Sequence, residues 1–230
     1  AASVTDIDGN TYDYITYGDQ VWTVDNAAMV TYRDGTPIPQ VTDPTEWTNL
    51  TTGAWCYYNN DETKPRLYNW YAVMGIHEAE TTTPNKEFAP EGWHVSSDTE
   101  WTTLVEYLIA NGYNYDGTTT ENKLAKAMAS TTGWSTSTGT GEIGNDQSLN
   151  NSSRFNAFPE GLRYSDGSFN SEGGNAVFWT SSENEDDTSY ALCNNLIFEN
   201  DPNGSFINGG FQMGATNHKR FGLSVRFVRD

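Results

Sequence analysis

The side chains best able to do chemistry in this chain are the oxygen donors of two short runs, Asn184-Glu185-Asp186-Asp187 and Glu199-Asn200-Asp201-Pro202-Asn203-Gly204. Carboxylates, carboxamides and backbone carbonyls are the ligands that calcium takes, six to eight oxygens at a time. The candidate metal ligands are Asp186, Asp187, Glu199, Asn200, Asp201 and Asn203, and calcium is the implied ion. An ion held by some of them would keep open positions for a ligand's oxygens. An acidic chain could then hold sugar hydroxyls, or peptide carboxylates that its own charge repels. Tyr164, Phe169 and Phe211 are candidates to stack on such a ligand, and each would be equally at home in a core. The competing reading of both runs is a solvated hairpin turn, in which Asn and Asp bond their own backbone.

Catalytic chemistry has fewer footholds. Of the three histidines, His94 in Gly92-Trp93-His94-Val95 reads as a ring bonded to backbone, and His77 and His218 read as surface residues. There is no Gly-x-Ser-x-Gly elbow and no Gly-rich phosphate loop ahead of a helix. Acids are plentiful, but no spacing directs a pair of them into a cleft, as a glycosidase requires. Cys56 and Cys193 lack zinc-site spacing; a bridge between them and two buried free thiols both stay open. Asp6-Ile7-Asp8-Gly9-Asn10 resembles the start of an EF-hand loop, yet Tyr17 occupies loop position twelve, where a bidentate Glu belongs. A tight turn is the alternative there. The expectation is a binding module and not an enzyme, with a polysaccharide-active enzyme as the weaker alternative.

Strands must carry these loops. Val177, Trp179 and Ser181 alternate with Phe178 and Thr180, and Leu223, Val225 and Phe227 alternate with Ser224, Arg226 and Val228. The second pattern predicts a half-buried strand. Thr11–Ile15 and Val21–Val24 flank Gly18-Asp19 as a hairpin. Ala54–Tyr58 predicts a short buried strand, and residues 67–73 a short helix with Leu67, Trp70 and Tyr71 on one face. Ser97 and Glu100 form a capping box ahead of Trp101, Leu104, Val105 and Leu108, one apolar stripe of a helix that Asn111-Gly112 ends. A weaker helix is predicted over 121–129, an exposed connection over 76–91 and loop over 130–153.

The 230 residues suffice for one large domain or two small ones, and the absence of internal repeat or linker favours one, residues 1–230. A net charge of −19 opposes binding to phosphate backbones or anionic membranes. No apolar run reaches the length of a membrane span. The expectation is a monomeric ligand-binding module cut from a longer protein.

Together the segments resemble a bacterial family, the Fibrobacter succinogenes major paralogous domain. The matching residues include Asp6-x-Asp8-Gly9-Asn10-x-Tyr12, Gly18-Asp19-Gln20-Val21-Trp22, Asp34-Gly35-Thr36-Pro37, Cys56-Tyr57-Tyr58-Asn59-Asn60, Leu67–Val73, Gly92-Trp93-His94-Val95, Trp179-Thr180-Ser181-Ser182-Glu183 and Gly222-x-Ser224-Val225-Arg226. The resemblance implies an α+β domain of C-type-lectin-like fold, with a twisted antiparallel sheet, one or two packed helices and long loops. It also implies a secreted or cell-surface setting and a role in adhesion, with a peptide or protein as partner or, alternatively, a glycan. Loops near 199–203 hold the ligand-binding calcium in lectin-like domains. Two family cysteines are replaced, by Ala89 and Phe227. Formylglycine-generating enzymes share the fold but use a pair of nearby cysteines, where this chain has Cys193 alone.

Overall fold

Turn chemistry sets the first strands of the computed structural model, which describes residues 2–79, 84–199 and 210–230. β1 (Ser3–Thr5), β2 (Thr11–Tyr17) and β3 (Gln20–Thr23) form an antiparallel meander. Asp6 closes the first corner: its carboxylate accepts the backbone N–H groups of Asp8 and Asn10, the Asn10 amide and the Tyr12 hydroxyl. Asp8 accepts from the Val30 N–H. The EF-hand-like segment is thus a self-bonded turn whose carboxylates serve the backbone.

α1 (Pro44–Thr48) starts at the Asp43 cap, and β4 (Trp55–Tyr57) pairs with β5 (Arg66–Tyr68). The single helix expected over 67–73 is divided. Asn69 Oδ1 accepts from the N–H groups of both Ala54 and Ala72 at 3.0 Å, ending the ribbon and capping α2 (Trp70–Val73) with one side chain. The connection over 76–91 is not wholly exposed: Ile76, Phe88 and Ala89 are buried, with Phe88 edge-on to Tyr68.

β6 (Trp93–Val95) leads into α3 (Asp98–Ala110), whose capping box forms as its sequence requires. α4 is only Ala125–Met128. The helix expected from residue 121 is pre-empted by Asn114, whose amide donates to the carbonyls of Thr118, Thr120 and Glu121 and whose oxygen accepts from Lys123. Glu121 is consequently left-handed, at φ 62. β7 (Glu160–Arg163), β8 (Phe169–Glu172), β9 (Asn175–Glu183), β10 (Tyr190–Ile197), β11 (Phe211–His218) and β12 (Phe227–Arg229) complete the order.

Among the described residues these strands make two five-stranded sheets, β1-β2-β3-β12-β6 and β11-β10-β9-β7-β8, beside the β4-β5 ribbon. Pairing is antiparallel except between β7 and β9. The architecture is therefore mostly β, with few helices. β9 is a wall between two cores. Val177 and Trp179 join Tyr68, Leu223, Val225 and Phe227, while Phe178 joins Trp22, Trp101, Leu104 and Leu108. The C-terminal run is correspondingly not half-buried: Leu223 through Val228 is buried throughout. Trp101 of α3 meets the rings of Trp22 at 5.1 Å, Phe155 at 5.5 Å and Phe178 at 5.6 Å, which seats the helix on both sheets.

Leu104 has no exposed surface. Leu104→Ala is expected to cost about 2–5 kcal/mol in denaturant unfolding, the transfer term plus the cavity. Leu104→Asp should yield no cooperative transition, because the site offers its charge no partner.

Candidate functional site

α2, the end of β9 and the residues after β11 enclose a cleft of about 830 Å³. Its floor is Trp70 and Tyr71. Trp70 is fixed by its ring N–H on the Thr180 carbonyl and its backbone N–H on the Lys219 carbonyl, both at 2.9 Å. Lys219 Nζ pairs with Glu183 and stands 4.5 Å from the Trp70 ring centre. Arg220 donates through Nε to the Leu50 carbonyl at 2.9 Å, and its terminal nitrogens have no protein partner among the described residues. His218 Nδ1 accepts from the Arg220 N–H, which leaves the ring proton on Nε2. Burial first, then the Arg220 and Lys219 charges, hold His218 below its ordinary pKa, so the ring is neutral at pH 7. With Lys219 and Arg220 against Glu183, the cleft is formally positive in a chain of net charge −19.

The acidic candidates among the described residues do not converge. Asp186 and Asp187 are exposed in the β9–β10 turn, which is stitched by Asn184 Oδ1 to the Asp186 N–H and by Asp187 Oδ1 to the Ser189 N–H. Thr188 and Ser189, next in the chain, line the cleft. Glu199 is exposed beyond the other end of β10, an eight-residue strand. At strand rise the two ends lie roughly 23 Å apart, so Asp187 and Glu199 cannot share an ion. Asn200, Asp201 and Asn203 lie outside the described residues. Among the described residues no group of three or more His, Cys, Asp or Glu is disposed to hold a metal. Asp186 and Asp187 alone therefore do not fit a calcium cage.

The aromatic candidates are equally dispersed, each half-buried at the margin of a different core. Tyr164 packs edge-on to Phe221 at 5.4 Å, Phe169 on Tyr58 at 5.4 Å, and Phe211 on Trp101 at 6.4 Å. Trp70 and Tyr71 were legible from the sequence only as a helix face, and Lys219 and Arg220 were not among its site candidates. The signal for the cations was there: adjacent bases in a chain with only twelve. Cys56 and Cys193 are free and buried, in separate clusters, and burial pushes their thiols up to about 11 and about 12. Neither is a thiolate nucleophile at neutral pH. His77 is half-buried, edge-on to Tyr32 at 5.7 Å, and not a free surface ring.

His94 is bonded to side chains, not to backbone. Its Nδ1 meets Asp230 Oδ1 at 2.7 Å and its Nε2 meets Glu100 Oε1 at 2.6 Å. A carboxylate only accepts, so both ring nitrogens donate and the ring is an imidazolium. Burial pulls its pKa down, but the hydrogen bonds and charges of Asp230 and Glu100 outweigh burial and the net shift is upward. A raised native pKa adds stability that is complete below about pH 6.5, the unfolded value, and is lost as pH rises through the native value. Urea midpoints should fall across that window for the wild type, and His94→Gln should abolish that part of the slope.

The Fibrobacter succinogenes major domain model matches residues 15–229. Neither a curated protein nor a solved structure matches the chain. With the match running from β2 to β12 and spanning the cleft, the chain belongs to the Fibrobacter succinogenes major domain family.

Proposed function

We propose that this domain is a ligand-binding module of adhesion type, and not an enzyme, that takes a peptide segment in the cleft over Trp70. The observation that carries the reading is the union, in one cleft, of an aromatic floor locked by hydrogen bonds and a guanidinium whose terminal nitrogens have no protein partner among the described residues. Trp, Tyr and Arg are the side chains that most often dominate binding energy. The cleft volume is that of a site able to enclose several side chains. A peptide supplies carboxylates or carbonyls to Arg220 and apolar side chains to Trp70 and Tyr71. The commitment of both thiols and of His94 to structure favours binding over turnover.

Calcium enters this reading through Glu199, Asn200, Asp201 and Asn203, the run whose composition suits it. The fold is read as C-type-lectin-like on the strength of two curled sheets with α3 seated across them. The setting is read as secreted or cell-surface.

Two measurements test the reading. On an array of peptides with free and amidated termini, Arg220→Ala should weaken binding at least about tenfold while the melting temperature stays unchanged, because a charge-assisted hydrogen bond at a ligand is lost. Unaltered binding in that variant would remove the cleft from the function. In calorimetry, calcium should bind and raise the melting temperature, and Asp201→Ala should weaken uptake. If no uptake is seen and chelator leaves melting unchanged, calcium drops out and the cleft stands alone.

A further inference from the structure

A second cleft, about 450 Å³, lies between the segment after β3, the start of β5 and residues 156–160, and it shares no lining residue with the first. Its wall holds Glu160 in an indirect way. Asn26 Nδ2 donates to Glu160 Oε2 at 2.9 Å, and Asn26 Oδ1 accepts in turn from Arg226 Nε. The buried guanidinium reaches the carboxylate only through an amide. Glu160 Oε1 has no protein partner among the described residues. Burial raises the Glu160 pKa, with Asn26 and Arg226 pulling the other way. Among the described residues no cation pairs directly with this carboxylate. Leaving a carboxylate half-desolvated at a cleft costs stability that a ligand can recover.

Charge and surface define the ligand. Asp25, Glu62 and Glu160 are matched by Lys64, Arg66 and Arg226, so the lining is formally neutral and attracts neither sign. A wholly apolar ligand would leave these polar groups unpaired. Phe158, two residues before Glu160, lines the same cleft and is 39% exposed, one of few large apolar side chains so placed among the described residues. Hydrogen-bond acceptors beside an exposed ring suit a molecule with hydroxyls on its edge and C–H groups on its face. We propose that this cleft is a saccharide site, in which Glu160 accepts a sugar's hydroxyls and Phe158 covers its apolar face. The proposal stands independently of the peptide cleft and of calcium.

The test uses the whole domain in chelator, with a panel of neutral sugars: glucose, galactose, mannose, N-acetylglucosamine and cellobiose. Saturation-transfer NMR and calorimetry should detect at least one binder at roughly millimolar affinity. Phe158→Ala and Glu160→Gln should each weaken it at least about tenfold. Melting should be unchanged in Phe158→Ala and unchanged or raised in Glu160→Gln, whereas a structural Glu160 would lower it. Arg220→Ala, in the other cleft, should leave sugar binding intact. No transfer from any sugar, binding untouched by both variants, or preference for arginine amide over the sugars would overturn the proposal.

Discussion

The molecule is organised around one almost fully buried cation. Arg226 is 1% exposed, and its guanidinium donates to the carbonyls of Thr23, Phe155 and Asn156 and to the Asn26 side chain. Those acceptors come from two stretches more than a hundred residues apart in sequence, and the group also lies over the rings of Phe155 and Phe178. Burial lowers its pKa to about 10, so it remains charged at neutral pH. A buried charge is tolerated only when its donors are met, and here the loops must take up their shapes to meet them. Arg163 in β7 repeats the device, donating to Val41, Thr42 and Gly167 carbonyls while stacked over Trp47 at 4.4 Å. In a chain so rich in loop, two guanidinium hubs do work that longer helices would do elsewhere.

This arrangement explains why both clefts can be rigid although little regular structure surrounds them. The floor of the first is a four-residue helix that would not persist alone. It is held by Asn69, by the Thr180 carbonyl of β9 and by the Lys219 carbonyl, three anchors from three parts of the chain. The wall of the second hangs on Asn26 and thereby on Arg226 itself. Rigid loops on a packed frame are where recognition usually lives.

Local rules made part of this legible. The β2–β3 hairpin, α3 with its Ser97–Glu100 box and the strand through Trp179 follow from turn residues and periodicity, and all form. What stayed hidden depends on distant partners. Asn69 splits a helical pattern because Ala54, fifteen residues earlier, needs an acceptor. His94 looks like any half-buried ring until Asp230 is brought beside it. The acidic runs were conspicuous in composition, but only the length of β10 reveals that Asp187 and Glu199 lie beyond opposite ends of one strand. The aromatic candidates scattered for the same reason: Tyr164 and Phe169, five residues apart, and Phe211 share no register that brings them together, and each packs at a different core.

The first sheet closes in an order with a consequence for biosynthesis. β12 lies between β3 and β6, pairing Val228 with Trp22 and Phe227 with Val95. The last strand of this domain to be made therefore fills the gap between strands made about two hundred and one hundred and thirty residues earlier. Until it arrives, β3 and β6 each present an open backbone edge, and the aromatic core beneath them has no lid. The nascent domain cannot fold vectorially from its beginning; it must wait for its end, with the slow, non-local closure that such a topology imposes. A chain of this design would need protection of those edges during synthesis.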